Sequence, residues 1–179
     1  DDFDDIAIRT GRLVAGGRRY EEPFKGHDLP RLRGVMHGPK FDEKNIRDLK
    51  AWGANHVRWQ LNWTPMKPAE EWARDLDRYD KWLAGALEDA DKAIDACERY
   101  NIIVLLDLHC PPGGRAKGGV CRMFTEKRYA DKFLAIWDML ARRYKGRSII
   151  LAYDLINEPV EPGTGGIVSW RDLATQAAR

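Results

Sequence analysis

Four short apolar runs, each followed by a stretch of helical period, recur along the 179 residues: Leu32–Gly38, His56–Leu61, Ile102–Leu108 and Ile149–Ile156. This alternation constrains the fold more than anything else in the chain. A strand that returns to its sheet through a helical crossover must run parallel to its predecessor, so the class is α/β with a parallel sheet. Ile102–Leu108 is nearly all apolar, as a parallel strand covered on both faces requires. His56–Leu61 alternates instead: Val57, Trp59 and Leu61 take one face, Arg58 and Gln60 the other.

The intervening segments carry helix signals. Asp42 precedes Ile46, Leu49 and Trp52 at helical spacing, and Gly53 follows as a stop. A long helix is predicted with Tyr79, Leu83, Ala86, Ala90, Ala93 and Cys97 along one stripe. Another begins after Thr125, with Tyr129, Phe133, Ile136, Leu140 and Tyr144 inward and Gly146 at its end. Ser169, with Asp172 three residues on, caps a last helix from Trp170. Roughly 45 residues per strand–helix unit is the pace of a (β/α)8 TIM barrel. The chain therefore reads as the first half of such a barrel, with four parallel strands over residues 31–179. Residues 1–30 read as an N-terminal extension in which Ile6–Tyr20, turning at Ala15-Gly16-Gly17, forms a small hairpin. A doubly wound sheet is the alternative, but it calls for a Gly-rich phosphate turn after the first strand, and Gly38-Pro39-Lys40 is not one.

Composition excludes several function classes. Thirty basic against twenty-eight acidic side chains give a formal net charge of +2, far from the basic excess of a nucleic-acid-binding domain. Pairs such as Arg142-Arg143 read as solvated helix ends. No run approaches eighteen apolar residues, so no membrane span is expected. The start, Asp1-Asp2-Phe3-Asp4-Asp5, lacks the basic-then-apolar order of a secretion signal. Cys97 falls on a core stripe. Cys110 and Cys121 flank a Gly-rich loop, where a disulfide or two thiols are both compatible; their spacing is no zinc pattern.

Chemistry concentrates at the strands' C-terminal ends, the reactive end of α/β barrels. The fourth strand runs into Asn157-Glu158-Pro159, placing a carboxylate beside an amide. Parity turns Arg58 away from the apolar, helix-facing set of its strand and puts Asp107 and His109 on one face of the third. Arg58, His109, Asn157 and Glu158 then converge on one mouth from three adjacent strands. Asn157 and Glu158 are consecutive, so both reach that mouth only if a bulge or the strand end re-aims one of them. His37, at the end of the first strand, is a candidate substrate-binding residue. Trp63 suits stacking on a ligand's apolar face or core packing. His56 reads as structural, and Trp52, Trp82 and Trp137 as core or helix-face residues. Glycines 113, 114, 118 and 119 suggest a substrate loop, since no Lys-Ser/Thr pair comes after them as in a phosphate cradle.

Arg58 within Asn55-His56-Val57-Arg58-Trp59, His109 within Leu106-Asp107-Leu108-His109, and Asn157-Glu158-Pro159 together resemble glycoside hydrolase family 5, the cellulase-like retaining β-glycosidases. Arg33-Gly34-Val35 is similar to that family's first strand, and the likeness spans about residues 30–179. The resemblance implies that Glu158 is the acid/base, that Asn157 bonds the substrate 2-hydroxyl, and that Arg58 and His109 form the polar shell around the nucleophile. It implies a β-linked polysaccharide, a β-glucan first, as substrate, with no metal or organic cofactor, and a secreted or periplasmic location.

A retaining site needs two carboxyl groups about 5–5.5 Å apart. The family's nucleophilic glutamate belongs to the second half of the barrel. Asp107 and Asp154 lie deeper along their strands and Glu161 sits in a loop, so none stands out as that nucleophile. The expectation is that the chain alone is not a competent hydrolase and pairs with a C-terminal half-barrel or with a second copy of itself. The alternative function is a non-hydrolytic, carbohydrate-binding or structural half-barrel.

Overall fold

The structure, a computed structural model, describes residues 31–63 and 71–179. Its four strands are β1 (Gly34–His37), β2 (His56–Gln60), β3 (Ile103–Asp107) and β4 (Ile150–Asp154). Four α-helices alternate with them: α1 (Glu43–Ala51), α2 (Leu76–Tyr100), α3 (Lys127–Arg143) and α4 (Trp170–Ala177). The strands pair in parallel in the order β1-β2-β3-β4. Every crossover steps one strand in the same direction, so with crossovers of one hand all helices fall on one face. That is the winding of the first half of a (β/α)8 barrel. A doubly wound sheet would reverse its strand order at a switch point. The hairpin expected over Ile6–Tyr20 lies outside the described residues.

Helix ends obey the sequence signals. Asp42 accepts from the Lys44 N–H at 2.9 Å, Asp75 from Asp77 and Arg78, and Ser169 from Asp172 at 3.1 Å. Each satisfies donors that the first helical turn leaves open. At the other end of α2, Asn101 adopts φ 52° and closes the helix with a left-handed cap.

The core is the sandwich between the sheet's helix-facing side and α1–α3. Val57 and Trp59 of β2, Leu106 of β3, and Leu61 and Leu108 just past those strands are fully buried there, against Tyr79, Ile94, Phe133 and Leu140. Cys97 lies in this core as expected. The opposite face of the sheet is only half covered: Ile103 and Leu105 are intermediate in exposure, and Met36 is 67% exposed. β3 is thus apolar from Ile103 to Leu106 without being dry on both faces. Trp137 is buried and Trp82 partly so, whereas Trp52 caps α1 in solvent at 78% exposure and is no core residue.

Acidic residues of α2 face basic residues of α3 and the turn after it: Asp80 with Lys132 at 2.6 Å, Asp91 with Arg143, and Asp95 and Glu98 with Arg147 at 2.7 and 2.8 Å. Such exposed pairs contribute little each and mainly hold the two helices in register. No helix of the described residues is long and apolar enough to cross a membrane.

The contrast between core and rim is measurable. Leu106→Ala, which empties a fully buried position, should lower the unfolding free energy by about 2–5 kcal/mol. Lys132→Ala, which breaks one exposed pair, should lower it by less than about 1 kcal/mol. Urea denaturation of the two variants beside the parent chain gives both numbers; equal losses would contradict this layout.

Candidate active site

The site is organised around Arg58. In register it stands level with Leu105 on β3, and Leu105 with Ala152 on β4. Its side chain reaches one pleat further, toward the C-terminal ends of the strands, where Asp107 and Asp154 are register partners of each other. There Nε and Nη2 donate to Asp154 Oδ2 at 3.0 and 2.6 Å. Nη2 also lies 3.1 Å from Asp107 Oδ2 and donates to Asn157 Oδ1 at 3.2 Å. One guanidinium therefore ties β2 to β3, β4 and the segment after β4. Nη1 reaches Met36 Sδ on β1 at 3.4 Å.

Asp107 is fully buried, and its two oxygens differ. Oδ2 faces Arg58 and also His109 Nδ1 at 2.8 Å, while Oδ1 is buried with no hydrogen-bond partner. Burial raises the Asp107 pKa; the neighbouring His109 and Arg58 pull it back without cancelling the shift. Gln60 Nε2 lies 3.1 Å from the same His109 Nδ1. That nitrogen carries one proton or one lone pair, so a His109 donating to Asp107 leaves Gln60 as a packing neighbour.

Of the six candidate residues, the structure brings Arg58, His109 and Asn157 into one hydrogen-bonded network through Asp107 and Asp154. Glu158 comes directly after Asn157 and is exposed, and its carboxylate makes no hydrogen bond or ion pair among the described residues. It has φ 46°, in the left-handed region.

His37 does not join the network. It is the register partner of Trp59, so it points with Trp59 to the helix side, and the two rings stand 5.2 Å apart. Burial lowers its imidazole pKa, and its Nδ1 accepts from the Gly38 N–H at 2.7 Å. The end of β1 presents Met36, not His37, to the Arg58 face. Trp63 is packed between Trp72 and Trp82, with ring centroids 4.9 and 5.3 Å away, which favours the core-packing alternative.

Two loops frame the rim. Cys110 and Cys121 are separate thiols, both buried. Cys110 Sγ donates to Asn62 Oδ1 at 3.1 Å, and its carbonyl accepts from the Tyr79 hydroxyl at 2.6 Å. The glycine-rich segment between the cysteines folds back on itself: Arg122 donates to the carbonyls of Gly113 and Arg115 at 3.0 and 2.8 Å. Gly113, at φ 81°, must lack a side chain, because a Cβ there would meet the Tyr129 ring at 2.5 Å. Arg115 donates from this loop to the carbonyls of Asn157 and Glu158. Sequence reasoning did not single out Arg115, and it placed Asp154 below the site rather than in its centre. Among the described residues no group of three or more His, Cys, Asp or Glu side chains is arranged to hold a metal ion.

The Asp107 environment fixes a sign. Because its folded pKa is raised, the folded state holds more protons than the unfolded chain between the two values, and stability falls as pH rises through that window. The window begins near the unfolded carboxylate value of about 4. The stability of the parent chain relative to Asp107→Asn should therefore decline from about pH 4 upward and level off above the folded pKa. Denaturation midpoints across pH test this; a rising difference would contradict the burial-dominated environment.

The profile of the family Cellulase (glycosyl hydrolase family 5) matches residues 19–179. Endoglucanase C of Acetivibrio thermocellus is 27% identical over 138 residues, 76% of this chain and 37% of that protein. A Beta-xylosidase of Phanerodontia chrysosporium is 30% identical over 96 residues, 50% of this chain and 20% of that protein. The solved catalytic domain of the major endoglucanase from Xanthomonas campestris pv. campestris superposes with a TM-score of 0.53 at 24% identity, over 82% of this chain and 46% of that one. The chain thus spans between a fifth and a half of the length of these relatives. A parallel sheet wound in one direction, an arginine-centred polar network at its C-terminal rim and a family match over nearly the whole sequence agree: the chain belongs to glycosyl hydrolase family 5.

Proposed function

We propose that this chain supplies the acid/base side of a β-glycosidase that cleaves a β-linked glucan by a retaining, two-carboxylate mechanism. The observation that carries the reading is the division of labour at the end of β4. Arg58 holds Asp154 and Asn157, whereas the next side chain, Glu158, is exposed and uncommitted. An acid that must protonate a leaving oxygen, and later activate water, cannot be locked into a structural ion pair. Asn157, oriented through its Oδ1 by the guanidinium, keeps its side-chain N–H groups available to a sugar hydroxyl.

Asp107 and Asp154 are both engaged by Arg58, so neither is the attacking group in this reading. The nucleophilic carboxylate comes instead from outside the four strands, in the remainder of a barrel or in a partner chain. Arg58 and His109 then form the polar wall beside it. The endoglucanase relatives favour a glucan. A polymer cannot cross a membrane intact, which favours action outside the cytoplasm.

In a barrel completed by a C-terminal half or a partner chain, Glu158→Ala should lower kcat/KM by several orders of magnitude on substrates with poor leaving groups. The loss should be much smaller at the glycosylation step for activated aryl glycosides, which need little protonation. Equal losses on both substrate classes would refute the acid/base role. Residues 1–179 alone should show no turnover on a panel of β-glucans and mannans. Robust activity from a monomer of verified mass would mean that an acid within the chain serves as the nucleophile.

A further inference from the structure

Asn157 and Glu158 are consecutive, and in regular strand geometry their side chains would leave on opposite faces. The backbone abandons that geometry. β4 ends at Asp154, and Glu158 adopts φ 46°, an unfavourable conformation for a residue with a Cβ. Among the described residues the Glu158 carboxylate has no partner that would hold the turn. The next turn is closed by the Val160 N–H donating to the Glu158 carbonyl at 2.8 Å.

Arg115 braces the turn from outside. Its Nη1 donates to the Glu158 carbonyl at 2.7 Å and its Nη2 to the Asn157 carbonyl. Those two oxygens belong to the peptide units on either side of the Glu158 Cα. Rotation about that residue's φ or ψ would separate them, so a planar fork spanning both fixes the pair of dihedrals. The fork is itself held: Arg115 bridges Cys121 across the loop, its carbonyl accepts from Arg122 at 2.8 Å, and the Cys121 N–H donates to Val160 O at 3.0 Å.

We propose that Arg115 is a positioning residue: its guanidinium, clamped across the two peptide carbonyls flanking Glu158, sets the left-handed turn that directs the Glu158 carboxyl to the same side as Asn157. This rests on the reading of Glu158 as the acid/base.

The test uses residues 1–179 and the variants Arg115→Ala, Arg115→Lys and Glu158→Gln. Backbone chemical shifts and the amide–Hα coupling of Glu158 report the sign of its φ without any need for turnover. In Arg115→Ala, Glu158 should leave the left-handed region while the resonances of β2 and β3 stay in place. Arg115→Lys, whose ammonium cannot fork across both carbonyls, should do the same in part; it carries the test if the alanine variant does not fold. The rate arm uses the same variants in a barrel completed by a C-terminal half or a partner chain, where Arg115→Ala should lose about a hundredfold in kcat/KM on poor leaving groups, the scale of a 1 Å misplacement. It should lose far less on activated aryl glycosides, and added guanidinium should restore part of the rate. A Glu158 φ that stays positive in both Arg115 variants overturns the proposal. If Glu158→Gln keeps full activity on poor leaving groups, the acid/base reading fails instead. A crippled Glu158→Gln beside an Arg115→Ala of unchanged φ and rate condemns the positioning role alone.

Discussion

Arg58 is one cation facing two carboxylates, and the sheet's polar face depends on that imbalance. Asp107 is fully buried, and a charge in that position is tolerable only with a partner. The guanidinium provides it while also holding Asp154 and Asn157, so β2, β3, β4 and the segment after β4 share one electrostatic anchor. A slip of one residue between any of these strands would turn Arg58 or an aspartate toward the helices, where nothing polar receives it. The network thus acts as a register pin as well as one wall of the candidate site. Burial gives a second property: it raises the proton affinity of Asp107, and the Asp154 charge nearby adds to that rise.

The parts of this arrangement that lie on regular strands were legible in the sequence. Alternation in β2 separated Arg58 and Gln60 from Val57, Trp59 and Leu61, and the two-residue period put Asp107 beside His109; both are consequences of pleat geometry alone. Helix caps and core stripes were equally plain, because capping chemistry and helical period are local. The fourth strand was another matter. The register against β3 shifts between Val104 and Leu105: Ile150 pairs with Val104, but Ala152 pairs with Leu105. The extra residue, Leu151, reverses the parity of the rest of the strand. Simple alternation from Ile150 would send Asp154 to the helix side. The bulge turns it inward beside Asp107 and gives Tyr153 to Trp137, at a ring distance of 5.5 Å.

The misplacements have related causes. His37 sits at a strand end where the chemistry of a histidine suggested a sugar contact, but register with Trp59 decides its face, and register is a property of two strands. Trp63, for which ligand stacking and core packing were both open, packs between Trp72 and Trp82, the apolar surfaces at hand just past β2. Arg115 carries no signature at all. It lies in a glycine-rich loop without periodicity, and its targets are backbone carbonyls 42 and 43 residues away, invisible to any pattern of side chains. Trp52 satisfied the helical spacing of a core residue but occupies the cap, one position past the last residue of α1.

The left-handed backbone at Glu158 also has a bearing on how the protein can be improved. A glycine there would relieve an unfavourable dihedral and an asparagine would tolerate it, so selection for thermal resistance alone favours replacing the residue. Either exchange deletes the carboxyl group. Under the proposed acid/base role, position 158 is one where fitness for folding and fitness for chemistry point in opposite directions. On that role, a library stabilised at this position would lose the carboxyl group that a completed barrel needs unless that one codon is held fixed.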